Sequence, residues 1–215
     1  LDGGEGDDIL FGGAGSDTIE GGAGIGDIVD YTSSANALDV DLALFRVIDG
    51  ADTDTVRDVE ILRGSGQNDT LRGDAGANTL EGGIGDDTLI GRGGADRLDG
   101  GSGTDTADYS LAGSVTVNLA TGAVSGADGT DTLVSIERVL GSANADVLTG
   151  GGDVDTLVGN AGNDVLTGGA SGDRLEGGEA DDVLAGGDGA DQLVGGDGRD
   201  TASYASAGAQ VTVNL

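Results

Sequence analysis

What most limits the folds open to this chain is a repeat nine residues long. Between positions 159 and 187 the sequence reads GNAGNDVLTGGASGDRLEGGEADDVLAGG, and one acidic and one aliphatic residue return at that spacing without slipping. A fixed period is read before local propensity, because it decides the architecture. Repeats begin at Gly3, Gly12 and Gly21, then at Gly64, Gly73, Gly82, Gly91 and Gly100, then at Gly141, Gly150, Gly159, Gly168, Gly177, Gly186 and Gly195. They form three blocks of three, five and seven repeats.

The sixth position of the repeat is acidic at Asp8, Asp17, Asp69, Asp87, Asp96, Asp105, Asp146, Asp155, Asp164, Asp173, Asp182, Asp191 and Asp200. Asn78 takes it once, and an extra residue in GGAGIGD hands the role to Asp27. The eighth position is aliphatic, as at Leu71, Leu89, Leu98, Leu157 and Leu184, and shrinks to Val29, Ala107 or Ala202 where a block closes.

Composition supports a solenoid over a compact globule. The chain holds 46 glycines and 2% aromatic residues, too little bulk for a conventional core. Glycine loses much backbone freedom on folding, so this sequence either stays disordered or uses positive φ systematically. The lack of proline argues against both disorder and collagen, which also needs glycine at every third residue.

A three-residue strand with one aliphatic side chain cannot bury itself, but stacked coils bury a ladder of such residues. Six residues then turn the chain between strands, and glycine at the first, second and fourth places permits the turn. Stacking sets successive aspartates about 4.8 Å apart, the strand spacing. Carboxylates at that distance repel unless a cation lies between them, and the turn adds main-chain carbonyls as further oxygen donors. Calcium accepts six to eight oxygen ligands in flexible geometry, whereas magnesium keeps its waters. Transition metals favour His or Cys, and the chain has neither.

The net charge of −31, with all nine bases arginine, points the same way: cations are the missing partner. Nucleic acid is not a partner, since neutralising phosphates takes clustered basic residues. Membrane insertion is not expected, because no apolar run approaches the roughly 20 residues of a spanning helix. Without cysteine there is neither disulfide nor thiol chemistry.

GGAGSDTIE, GGIGDDTLI and GGDGADQLV resemble the GGxGxDxUx repeat of the RTX family, the hemolysin-type calcium-binding repeats of bacterial secreted proteins. The resemblance implies an all-β fold, a right-handed parallel β-roll with calcium between stacked turns, and a parent exported by type I secretion to the cell surface or beyond. It implies calcium ligands at Asp8, Asp17, Asp27, Asp69, Asn78, Asp87, Asp96, Asp105, Asp146, Asp155, Asp164, Asp173, Asp182, Asp191 and Asp200. If each ion bridges a repeat and the next but one, the blocks hold roughly nine ions. Gln67, Asn144, Asp153, Ser171 and Ala180 replace the fourth-position glycine, which predicts distorted turns and weaker binding there, as does Asn78.

The blocks are separated by segments that resemble one another: DYTSSANALDVDLA from Asp30, DYSLAGSVTVNLA from Asp108 and SYASAGAQVTVNL from Ser203. Their alternation of apolar and polar residues predicts strands. Two of them continue into a second shared piece, DTVRDVEILRGS and DTLVSIERVLGS, at matched separation, which flexible linkers do not keep. The expected organisation is therefore block 1 over 1–29, an inter-block segment over 30–63, block 2 over 64–108, a segment over 109–140, block 3 over 141–203 and a further segment from 204 to 215. Tyr31, Tyr109 and Tyr204 follow the blocks and are expected to cap their cores.

The chain opens in mid-repeat without methionine and ends in mid-motif, which predicts a piece of a longer protein whose export signal lies outside it. Ser-His-Asp, Cys-His and zinc-water catalysis lack their residues, and the well-placed acids are accounted for by the repeat, so no enzyme is expected within this stretch. The function expected is a structural calcium-binding module of a large secreted or surface protein of adhesin, surface-layer or filament type, folding on calcium after export and open to self-association. The alternative is the secretion and folding module of an exoenzyme or toxin. The recurrence of blocks with structured segments between them favours the first.

Overall fold

In the computed structural model, which describes residues 1–126 and 128–205, strands account for nearly all regular structure. The segment expected from 204 lies almost wholly outside the described residues. The strand core of each repeat is its last three residues, as in Thr70–Arg72, Thr88–Ile90 and Val147–Thr149. The middle residue points inward and its neighbours outward, as strand alternation requires. Several strands run on into the next repeat's glycines, as Thr79–Ile84 and Arg97–Ser102 do.

Strands of a repeat and the next but one pair in parallel, with Leu71 opposite Leu89 and Leu80 opposite Leu98. The repeat in between lies in a second sheet, so two repeats make one coil. The eighth-position side chains meet between the sheets: Leu71, Leu80, Leu89, Leu98, Leu148, Leu157, Leu166 and Leu175 are fully buried. Each contributes about 1.5–3 kcal/mol of hydrophobic stabilisation.

The chain divides into two compact bodies, Leu1–Ala107 with Gly129–Ile136, and Asp108–Asp128 with the chain from Glu137. In the first, one sheet runs in the order Asp2–Glu5, Thr18–Ala23, Asp52–Arg57, Arg46–Asp49, Leu38–Asp41, Thr70–Arg72, Thr88–Ile90 and Thr106–Asp108. Its partner sheet carries Ile9–Leu10, Ile28–Asp30, Ile61–Arg63, Thr79–Ile84, Arg97–Ser102 and Thr132–Val134. In the second body, one sheet holds Arg138–Leu140, Thr156–Ala161, Arg174–Glu179 and Gln192–Asp197. Its partner carries Ala123–Gly126, Val115–Asn118, Val147–Thr149, Val165–Gly169, Val183–Gly187 and Thr201–Ala202.

The inter-block segments form strands, and some of these run against the parallel grain. Arg46–Asp49 pairs antiparallel with both Leu38–Asp41 and Asp52–Arg57, whose outer partners are parallel. Val115–Asn118 and Ala123–Gly126 form the second such hairpin. Tyr31 and Tyr109 are buried, while Tyr204 is 43% exposed.

Candidate metal centre

Each turn is built so that a carboxylate reaches back to the preceding coil. The sixth-position aspartate ends the turn just before the strand, and its Oδ1 accepts the main-chain N–H of the equivalent residue one coil earlier. Asp87 accepts from Asp69 at 2.8 Å, Asp96 from Asn78 at 2.8 Å, Asp164 from Asp146 at 2.8 Å and Asp182 from Asp164 at 2.8 Å. Asp27 does the same for Asp8 at 2.8 Å, so the extra residue in its repeat is absorbed upstream of the carboxylate. Asp173 accepts from Asp155, Asp191 from Asp173 and Asp200 from Asp182. Asp105 accepts from Asp87.

The second oxygen has no such donor in most turns. Oδ2 of Asp8, Asp17, Asp27, Asp87, Asp96, Asp164, Asp173 and Asp182 is buried without a hydrogen-bond partner. A buried carboxylate oxygen left so is costly unless a cation meets it. The first glycine of the repeat makes room for it: a Cβ on Gly177 would overlap both Asp182 Oδ2 and the carbonyl of Gly195 in the next coil. Carboxylate and carbonyl oxygens thus converge above the glycine.

Burial pushes the carboxyls of Asp87, Asp96 and Asp164 up to about 6, with neighbouring carboxylates adding to the shift. Burial likewise raises Asp173 and Asp182. Protonation and cation binding are the two ways to relieve such a group. Among the described residues no three carboxylate, imidazole or thiolate groups come together. The donor set is therefore one or two carboxylates per rung completed by main-chain carbonyls, all hard oxygens. That set fits calcium, whose variable coordination and 2.3–2.6 Å bonds suit a flexible oxygen cage.

Four sixth positions differ. Asp69 Oδ2 accepts from Ser65 N–H at 2.6 Å and Asp146 Oδ2 from Ser142 N–H at 2.6 Å. Asp155 Oδ2 accepts from Gly151 N–H at 2.5 Å, and Asn78 Oδ1 from Asp74 N–H at 2.8 Å.

Of the residues replacing the fourth-position glycine, Ser171 and Ala180 adopt the positive φ that a glycine would, 77° and 81°. Distortion is therefore absent at these two, because the coil stacking holds the left-handed conformation at a cost of about 1–2 kcal/mol each. Gln67, Asn144 and Asp153 do not adopt it and lie in the divergent turns.

The inter-block segments hide further sixth positions that the sequence reading passed over. Asp54 accepts from Asp17 N–H at 2.9 Å, Asp131 from Asp96 N–H at 3.0 Å, and Glu60 Oε2 from Asp27 N–H at 3.0 Å. Glu137 precedes the strand Arg138–Leu140 in the same way. The signal was present in GADGTDTLV, which keeps glycine at the first and fourth places, Asp131 at the sixth and Leu133 at the eighth. At Asp54 the second oxygen is satisfied: the buried Tyr31 hydroxyl donates to Oδ2 at 2.7 Å.

The sequence model of the RTX calcium-binding nonapeptide repeat (4 copies) matches residues 1–28, 54–89, 72–107, 136–166 and 167–202, which together cover more than half of the chain. No curated protein matches the sequence.

Proposed function

The chain belongs to the family of RTX calcium-binding nonapeptide-repeat proteins, and from that premise we propose that it is a structural spacer of a large secreted protein, of adhesin, surface-layer or filament type, whose coils close on calcium after export. Binding of calcium by the repeats and a structural role in a secreted protein are the family's common ground. The finer reading rests on this chain's own construction.

One observation carries it: successive turns present buried carboxylate oxygens that no protein donor meets. The carboxylates proposed to hold calcium are Asp8, Asp17, Asp27, Asp87, Asp96, Asp164, Asp173 and Asp182, with Asp105, Asp191 and Asp200 joining them by their place in the repeat. A ligand that binds only the folded state stabilises it by RT ln(1 + [L]/Kd), so millimolar calcium outside a cell drives folding that submicromolar calcium inside cannot. The inserted hairpin over 38–57 favours a spacer, since it joins blocks 1 and 2 through paired strands in place of a loose linker. No helix among the described residues is long and apolar enough to cross a membrane.

The test is a calcium titration followed by far-UV circular dichroism and hydrodynamic radius. A cooperative gain of β-structure with compaction between about 0.1 and 10 mM calcium, absent with magnesium, is the expected result. A chain equally folded in chelator would overturn calcium-driven folding.

A further inference from the structure

The second residue of each repeat sorts the turns into two kinds. In most, it has positive φ, as at Gly83 (111°), Arg92 (68°), Asn160 (76°), Gly169 (118°) and Gly178 (118°). Its N–H then does not reach the sixth-position carboxylate, whose Oδ2 is left as described. In four repeats, beginning at Gly64, Gly73, Gly141 and Gly150, the second residue is Ser65, Asp74, Ser142 or Gly151, with no positive φ. In each of these its N–H donates to the sixth-position side chain.

These four repeats are the first coil of block 2 and the first coil of block 3, and in the leading repeat of each, protein groups take up the remaining acceptor as well. Asp69 Oδ1 accepts from the Ser65 hydroxyl at 2.9 Å and from Leu38 N–H at 2.8 Å. Asp146 Oδ1 repeats the pattern with the Ser142 hydroxyl at 3.0 Å and Val115 N–H at 2.7 Å. Leu38 and Val115 are the first residues of the strands that enter from the inter-block segments, so the same carboxylate that closes the turn docks the hairpin.

Carbonyls of these turns are claimed too. The Arg92 guanidinium donates to Gly73 O at 2.7 Å while holding Asp41 through both nitrogens at 2.8 Å. The Asn160 amide donates to Gly141 O at 2.7 Å, and the Ser171 hydroxyl to Gly152 O at 2.7 Å. The one asparagine in the sixth-position series, Asn78, falls in this set, where a neutral acceptor serves as well as a carboxylate.

We propose that the first coil of each of these two blocks is a metal-free rung, closed by main-chain donors, and that the backbone angle at the second position determines which turns take calcium. This rests on the calcium reading above and narrows it: Asp69, Asn78, Asp146 and Asp155 close turns, and the open carboxylates bind the ion. The closed coils then serve as preformed seeds on which the open coils stack as calcium arrives.

The test uses the whole chain in two measurements. Calcium bound at saturation is determined by equilibrium dialysis for Asp69→Asn, Asp146→Asn, Asp87→Asn and Asp164→Asn. The first two are expected to bind as much calcium as the parent at saturation: asparagine keeps one oxygen for the second-position N–H, as Asn78 does, and what it gives up is a hydrogen bond from the hairpin's Leu38 or Val115, not an ion; the last two are expected to lose bound calcium or to need at least about tenfold more of it. Hydrogen exchange with and without calcium gives the second readout. Amides over 65–78 and 142–155 should change protection less on calcium addition than those over 83–105 and 160–182. Equal losses in all four variants, or equal calcium-induced protection in both sets, would overturn the assignment and leave the calcium reading standing. If the parent binds no calcium, both fall together.

Discussion

A single oxygen decides the behaviour of each turn. Because a Cβ on Gly177 would overlap Asp182 Oδ2, Gly177→Ala should push that carboxylate out of its place and raise the calcium midpoint severalfold, read by titration against the parent. Tyr31→Phe removes the donor to Asp54 Oδ2 and leaves a buried carboxylate oxygen unmet. A loss of about 1–3 kcal/mol in chemical unfolding with calcium present is expected. The titrations carry a sign. Burial raises Asp87, Asp96, Asp155 and Asp164 to about 6, so the folded chain holds protons that the unfolded chain has released. This contribution to stability is complete below the unfolded carboxyl range and is lost as pH rises through about 6. In chelator, circular dichroism should therefore show more β-structure at pH 4.5 than at pH 7.5, and calcium should bind more weakly at the lower pH.

The strand is the scale at which sequence and structure agree best. Alternation around a single leucine forces that residue inward, and the spacing of nine forces alternate repeats into alternate sheets, so Leu71, Leu80, Leu89 and Leu98 could be placed from the letters alone. Leu89→Ala should cost about 2–5 kcal/mol, measured by urea unfolding in saturating calcium. What could not be read was the sense of the inserted strands, since Arg46–Asp49 has the same alternation whether it runs with or against its neighbours. Nor did Asp54 and Glu60 stand out: the first lacks its preceding glycines and the second is a glutamate, yet stacking returns both to the sixth place. The split between open and closed turns was equally hidden. Gly151 closes its turn and Asn160 opens one, so residue type alone does not fix the backbone angle.

Across the whole molecule the dominant quantity is charge. With 40 acids against nine bases, removing the cation sets self-repulsion against a core built from one aliphatic ladder per sheet. Chelation should expand the chain, and high salt should recover part of the compaction by screening without restoring the specific rungs. The pairing register has a separate, mechanical consequence. Each strand's neighbour lies eighteen residues along the chain at Asp69 and Asp87, so peeling one coil under load frees about 60 Å of chain. Where the hairpin intervenes, Asp17 is held by Asp54, 37 residues away, and the same rupture releases roughly twice that length. Force spectroscopy on this protein should thus show short, evenly sized steps punctuated by long ones, and the spacing of the long steps would mark where one block hands over to the next.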